Sequence, residues 1–171
     1  MTRPHPDTIP SAYKHYVENV IHLDVLDALK QSSAEMLALV RSIPEEKGLH
    51  RYAEGKWTIK EVLNHLQDVE RVMAYRALRF SRNDKTDLPG FEENDYGPEA
   101  NAHARTISQL ADEMERLRRS TLDLFSSFSE EMMQRQGTAN KKNVSVLALG
   151  YIIAGHEVHH FKLFNERYLK G

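Results

Sequence analysis

Residues 57–80 read WTIKEVLNHLQDVERVMAYRALRF, and this stretch decides the fold. Thr58 is followed three positions later by Glu61, the spacing of a capping box in which each side chain satisfies a free amide of the first helical turn. Apolar residues then recur every three or four positions to the end of the stretch, the period of a helix with one buried face. The stretch therefore predicts an amphipathic helix from Ile59 to about Ser81.

Three more segments show helical periodicity. These predicted helices cover residues 11–43 (with a break near Asn19), about 99–128 and about 145–169. Residues 82–98 are polar, with two prolines and two glycines, and predict a long loop. No strand pattern competes, so the chain is predicted to be all-α, a four-helix up-and-down bundle. In that arrangement the second and fourth helices are diagonal and parallel, which would place the loops 44–56 and 129–144 at one end.

The composition limits the classes of protein to which the chain can belong. With 171 residues, 40% hydrophobic and 28% charged, it is expected to form one domain over residues 1–171, with residues 1–10 as a flexible N-terminus. The net charge is −2 and no block of Lys or Arg stands out, which argues against nucleic acid as a partner. No apolar run reaches the ~20 residues that cross a bilayer, so no membrane partner is expected. The absence of cysteine excludes disulfides and a cysteine nucleophile, and fits a cytoplasmic location.

Two histidines of the last predicted helix occupy the face that should be buried. His156 and His160 are four positions apart, so they lie one above the other with Cβ atoms roughly 5–6 Å apart. This separation lets two imidazoles bind one metal ion at ~2.0–2.1 Å. His159 lies about 100° further round the helix and is predicted to flank the site. His65, on the inner face of the second predicted helix, is the candidate third ligand, although a lone histidine there also fits an ordinary core residue.

Candidate catalytic groups lie beside these histidines in the sequence. Asp68 follows His65 by one turn and is placed to reach either the open side of a metal ion or the second ring nitrogen of a ligand. Glu157 is adjacent to His156, about 100° away around the helix. Residues 156–160 also satisfy H-E-x-x-H, the zinc-protease motif, but an all-α bundle lacks the edge strand on which such proteases hold a peptide.

Several of these segments, taken together, match the motifs of a known protein family. Residues 55–66 (GKWTIKEVLNHL) with Asp68, residues 91–94 (FEEN) and residues 155–160 (GHEVHH) resemble, in this order and spacing, the DinB-like (YfiT-like) metalloenzyme superfamily. The resemblance extends from about Leu23 onward. It implies a four-helix bundle that commonly forms homodimers, and it does not imply DNA binding.

The resemblance also implies a divalent metal ion, zinc or nickel, on His65, His156 and His160. Characterised members of the superfamily include bacillithiol S-transferases and mycothiol-dependent isomerases, whereas many members have no known activity. A small-molecule substrate, and a low-molecular-weight thiol in particular, is therefore the expected partner.

Three functional hypotheses follow from a three-histidine site, which leaves coordination positions open as catalytic sites do. The first is a transferase in which the ion activates a small thiol. The second is a metal-dependent hydrolase in which Asp68 or Glu157 handles protons. The third is a non-catalytic metal-binding stress protein. In either enzyme the open side is predicted to be bordered by the two loops named above, with the rings of Tyr52 and Trp57.

Overall fold

The computed structural model describes residues 2–170, and its long helices begin at local sequence signals. The helices are α1 Lys14–Glu18, α2 Val25–Ser42, α3 Ile59–Ser81, α4 Glu93–Glu99, α5 Ile107–Ser126, α6 Glu130–Gln134 and α7 Val146–Leu163. The hydroxyl of Thr58 accepts a hydrogen bond from the Glu61 amide at 3.1 Å, and the Glu61 carboxylate accepts one from the Thr58 amide at 2.6 Å. The predicted capping box therefore starts α3. A second capping box, of Thr106 and Gln109, starts α5 later than predicted because residues 93–99 form a helix of their own.

The four long helices form the predicted bundle, but their arrangement in space differs from the predicted one. Helix α7 packs against α2 and α3, and α5 packs against the same two helices from the other side. The pairs α2/α3 and α5/α7 are therefore the diagonals. The all-α four-helix bundle is confirmed, whereas the prediction that the second and fourth long helices are diagonal is wrong.

Contacts at successive depths give the direction of each helix. Helices α3 and α7 are antiparallel because Tyr168, just beyond α7, bonds the backbone of Trp57 before α3, while Arg135, before α7, bonds the backbone of Ser81 at the end of α3. Helix α7 is parallel to α2, since Gly150 lies beside Val25 and, seven residues further along both helices, Glu157 bonds Ser32. Helix α3 is parallel to α5, because Arg105, just before α5, bonds Asn64 near the start of α3, and Arg118 bonds Glu70 further along both helices. The predictions that α3 and α7 are parallel and that the bundle is up-and-down are therefore wrong, because the consecutive helices α3 and α5 run in the same direction. Long connections make this arrangement possible.

A glycine allows the N-terminal helix α1 to lie directly on α7. A Cβ atom at Gly155 would lie 2.0 Å from the backbone oxygen of Tyr16, so only glycine permits this approach. Gly150 plays a similar part against the side chain of Val25, whose Cγ2 would lie 2.5 Å from an added Cβ. The two glycines inside α7 thus mark close packing of neighbouring elements.

A β-hairpin precedes α7, where no strand was predicted. Its strands are β1 (Gln136–Ala139) and β2 (Lys142–Ser145). The two turn residues, Asn140 and Lys141, have positive φ angles of 49° and 60°, as a two-residue hairpin turn of this hand requires. The usual glycine is missing from this turn, so its sequence signal is weak. The hairpin brings Asn140 against the side of the bundle.

The core of the bundle is apolar along the inner faces of its four long helices. Leu29, Met36, Leu63, Phe80 and Leu149 are each at most 1% exposed. Within residues 2–170, no helix combines the length and the apolar character required to cross a membrane.

Candidate metal centre

Three buried histidines from two antiparallel helices converge towards the end of the bundle where α3 begins and α7 ends. His65 projects from α3, and His156 and His160 project from successive turns of α7. The Nε2 atom of His156 lies 3.1 Å from the Nε2 atoms of both His65 and His160. The three rings are 6–8% exposed. The structure thus brings together the three histidines that the sequence singled out.

The spacing of these nitrogens fits a shared cation. An imidazole Nε2 atom carries either one proton or one lone pair, so His156 has only one good hydrogen bond to offer two equidistant neighbours. Nitrogens bonded to one ion at 2.0–2.1 Å lie about 2.9–3.4 Å apart, depending on the coordination angle. Ligand atoms from all three histidines lie within 4.8 Å of one another, which matches such a site.

Burial keeps the three rings in the neutral form that coordination requires. It lowers the pKa of His65 to about 4. Burial, with a smaller contribution from His65 and His159, lowers the pKa of His160 to about 3. The pKa of His156 is likewise well below its usual value, through burial and then through the neighbouring histidines. At neutral pH each ring is uncharged and has a lone pair available for a metal ion.

His159 flanks the cluster, in line with its predicted position on α7. Its ring packs edge-on against Tyr16 at 5.2 Å between centroids and against His15 at 5.9 Å. The Tyr16 ring also packs on His156, at 5.1 Å. Helix α1 therefore covers one side of the cluster, a contact that no pattern in the sequence predicts.

The two predicted catalytic carboxylates bond to other partners. Asp68 accepts hydrogen bonds from Asn64 at 2.6 Å and from Arg71 at 3.4 Å. Glu157 accepts from Ser32 at 2.6 Å and from Arg118 at 2.8 Å. The structure therefore places neither carboxylate against the ring nitrogens of the histidines, because Asp68 turns towards its own helix surface and Glu157 towards the bundle interior.

Glu157 belongs to a buried ion network below the histidines. Arg118 of α5 donates two hydrogen bonds, each 2.9 Å long, to the Glu70 carboxylate of α3. The same guanidinium bonds Glu157 and Ser32, so it joins all four long helices. Arg118 is 4% exposed. The network fixes the segment of α7 from which His156 projects.

Two cavities large enough to hold part of a ligand lie against the histidine cluster. A cavity of about 70 Å³ includes His156 in its wall, together with Tyr16, Arg76 and Glu93. A wider cavity of about 220 Å³ includes His160 with the rings of Tyr52, Trp57 and Tyr168. His156 and His160 therefore each face a cavity that a small molecule could enter.

These cavities correct the predicted surroundings of the site. Tyr52 and Trp57 border the wider cavity as expected, and so does the end of the loop 44–56. The loop 129–144 lies at the other end of α3, because α3 and α7 are antiparallel. It contributes Asn140 to the smaller cavity instead.

Glu93 and Tyr16 are functional candidates that were missed in the sequence. Partial burial, and then the charge of Glu92, raises the pKa of Glu93. Burial and then the charge of Glu93 raise the pKa of Tyr16, so its hydroxyl stays protonated. The sequence of residues 91–94 indicates only the family resemblance, and the fold alone brings Glu93 to the cavity wall beside His156.

The fold and the site together define a four-helix-bundle protein with a buried three-histidine cluster able to hold a metal ion. The chain belongs to the DinB superfamily, whose sequence profile matches residues 28–164. Among solved structures it is similar to YfiT from Bacillus subtilis, described as a probable metal-dependent hydrolase with an unusual four-helix bundle topology. The two share 14% identity with a TM-score of 0.72, over 96% of this chain and 90% of the other. Comparison with the curated proteins found no match.

Proposed function

We propose that this protein is a divalent-metal-dependent enzyme in which His65, His156 and His160 hold a zinc or nickel ion. The observation that carries the proposal is the position of His156 Nε2, 3.1 Å from the matching atom of each of the other two rings. Three neutral nitrogens leave coordination positions open, and the two cavities supply space beside them.

A two-substrate transfer with a small thiol is the reaction that best uses this space. The wider cavity beside His160 is lined by aromatic rings and can receive one reactant, whereas the smaller cavity beside His156 can receive the reacting end of another. A hydrolase needs only one organic substrate, so two separate cavities favour the thiol S-transferase. The chain has no cysteine of its own, so the sulfur would come from the thiol substrate.

In this reaction each group of residues in the site would have its own role. A bound divalent ion lowers the pKa of a thiol or water beside it. The histidines would fix the position of that ion, and the aromatic wall of Tyr52, Trp57 and Tyr168 would orient the electrophile. The sulfhydryl end of the thiol would then lie in the smaller cavity, beside His156 and Glu93. As sulfur forms its bond to the electrophilic carbon and the leaving group departs, Glu93 is the carboxylate in the cavity wall that accepts the thiol proton.

Metal analysis of the purified chain tests the site. After loading with zinc and dialysis, the wild type is expected to retain one ion per chain, because three neutral imidazoles converge. His65→Ala, His156→Ala and His160→Ala should each lose it, whereas His159→Ala is the matched control and should keep it. Loss of the ion from His159→Ala with retention in His160→Ala would contradict the assignment.

Assays of the loaded protein test the reaction. With a small thiol and an activated aryl chloride, we expect thioether formation that disappears in His156→Ala. A metal-dependent hydrolase is the second candidate, favoured by the wall position of Glu93, which can equally accept a proton from water. Ester cleavage without thioether formation would support it. A fully loaded protein with neither activity would identify a non-catalytic metal-binding protein.

A further inference from the structure

Arg76 is a buried cation that has no carboxylate partner among residues 2–170. It projects from α3 and is 4% exposed, the same fraction as Arg118. Arg118 is neutralised by two carboxylates, those of Glu70 and Glu157. Within residues 2–170, by contrast, no ion pair with a carboxylate includes Arg76. A buried guanidinium is costly unless an opposite charge accompanies it, so the missing anion requires a physical explanation.

The contacts of Arg76 hold its guanidinium in place without neutralising it. One nitrogen donates to the backbone oxygen of Pro89 at 2.9 Å, and another lies 3.6 Å from the sulfur of Met73. The Phe91 ring lies beneath the guanidinium, with 6.0 Å between its centroid and the Cζ atom. The phenol of Tyr13 is a further polar neighbour. All of these groups are uncharged, and a guanidinium has five N–H donors, so they leave capacity for an incoming acceptor.

The guanidinium lies in the wall of the cavity that also contains His156. A second cavity, of about 100 Å³, shares Tyr13, Met73, Arg76 and Asn140 with the first and adds Lys142. Glu93 is the one carboxylate residue in either wall, and it forms no ion pair with Arg76 among residues 2–170. The cations that line these two cavities therefore outnumber the carboxylates, and no carboxylate in the described part of the chain pairs with Arg76.

We propose that Arg76 binds the carboxylate of an anionic substrate whose reacting end lies at the histidine cluster. This inference rests on the proposed function and names the substrate class. A planar carboxylate matches the guanidinium, which binds such groups through two parallel hydrogen bonds. The space of about 70 Å³ suits a small group. A phosphate dianion fits less well, because Glu93 in the same wall would repel a second negative charge.

Acetate titration tests the inference independently of catalysis. Acetate is added at constant ionic strength to the full chain, both metal-free and zinc-loaded, while NMR follows the Met73 methyl group, whose sulfur lies beside the guanidinium. We expect saturable binding in both forms and at least tenfold weaker binding in Arg76→Gln, because the variant loses the charge-assisted hydrogen bonds to acetate. Arg76→Lys should weaken binding less, since it keeps the charge.

Controls separate a cavity effect from a general one. Arg82→Gln removes an exposed arginine that follows α3 and lies over the Phe128 ring. This variant should bind acetate as the wild type does. Acetamide, the neutral isostere of acetate, should not bind to the wild type. This ligand comparison keeps the test decisive if Arg76→Gln fails to fold.

Several results would overturn the inference. Equal binding of acetate and acetamide would remove the role of charge, and unchanged affinity in folded Arg76→Gln would remove the role of this residue. Tighter binding of inorganic phosphate than of acetate would overturn the choice of carboxylate. Acetate bound only by the zinc-loaded form would assign the anion to the metal ion. Zinc content is measured on the same samples. A protein that holds one zinc ion per chain but does not bind acetate would overturn this inference alone. A protein that binds acetate but retains no zinc would overturn the metal site alone.

Discussion

At the scale of single residues, the centre of the bundle depends on one cation shared by two carboxylates. Arg118 bonds Glu70 through two nitrogens and Glu157 through a third contact, all of them away from solvent. Such a group is hard to find in a sequence. In α5 Arg118 is buried whereas its apolar neighbour Leu117 is only half-buried, so hydrophobicity alone would select the wrong one of the two residues. Charged side chains are usually exposed, so the pattern offered no reason to place one inside.

Replacing Arg118 tests how much this network stabilises the fold. Arg118→Met leaves two carboxylates buried without their cation, and we expect a loss of about 3–5 kcal/mol in the free energy of unfolding, measured with urea. The triple variant Arg118→Met, Glu70→Gln, Glu157→Gln removes all three charges and should regain a large part of that loss. A triple variant as unstable as the single one would show that packing, and not charge, is what Arg118 provides.

The metal-ligand candidates could be predicted from the sequence, whereas the buried ion network around Arg118 could not. His156 and His160 occupy an otherwise apolar stripe, and a polar ring there requires a partner. The same argument, applied to the inner face of α3, predicts His65 as the third ligand. Arg76 and Glu93 could not be found in this way, because the first is one charged residue among several on α3 and the second acquires its neighbours only through the connection between α3 and α5.

At the scale of elements, the residues at which helices begin could be predicted, whereas the helices that pack against each other could not. The capping box at Thr58 is a local interaction of four residues, and it is present as predicted. The order of the helices around the bundle depends on where long connections cross, and periodicity carries no such information. The hairpin before α7 was missed because Asn140 and Lys141 adopt positive φ without a glycine.

The close approach of α1 and α7 gives a prediction for this scale. Gly155→Ala would place a methyl group 2.0 Å from the backbone oxygen of Tyr16, which cannot move independently of its helix. We expect a loss of about 1–3 kcal/mol in stability, with faster amide hydrogen exchange in residues 14–18. Gly150→Ala is the control, since its methyl would meet side-chain atoms of Val25 and Phe125 and leave α1 in place. Equal exchange of α1 in both variants would contradict this account.

At the scale of the whole molecule, the buried histidines link stability to pH. The folded protein holds His65 and His160 with pKa values of about 4 and 3, below the ordinary value of 6.5 that an unfolded chain has. Below pH 6.5 the unfolded state therefore binds more protons than the folded state. The stability contributed by the neutral rings is complete above pH 6.5 and decreases as the pH falls towards the folded values.

Urea unfolding of the metal-free protein between pH 7.5 and 5 measures this effect. Each histidine should lower the free energy of unfolding by about 1.4 kcal/mol per pH unit once the pH is well below 6.5. The double variant His65→Phe, His160→Phe keeps rings of similar size and should show a shallower dependence. Identical pH profiles for the two proteins would mean that other groups cause the dependence.

The order of the helices has a consequence for how the chain folds. Helix α2 is diagonal to α3, and α5 is diagonal to α7, while the neighbours α3 and α5 are parallel. Consecutive long helices therefore form no antiparallel hairpin that could assemble early from local contacts. Pairing must wait for distant segments, and α2 meets its partner α7 only after most of the chain has been synthesised. We expect refolding slower than that of an equally long bundle made of hairpins, and no stable fold in a fragment that ends before α5.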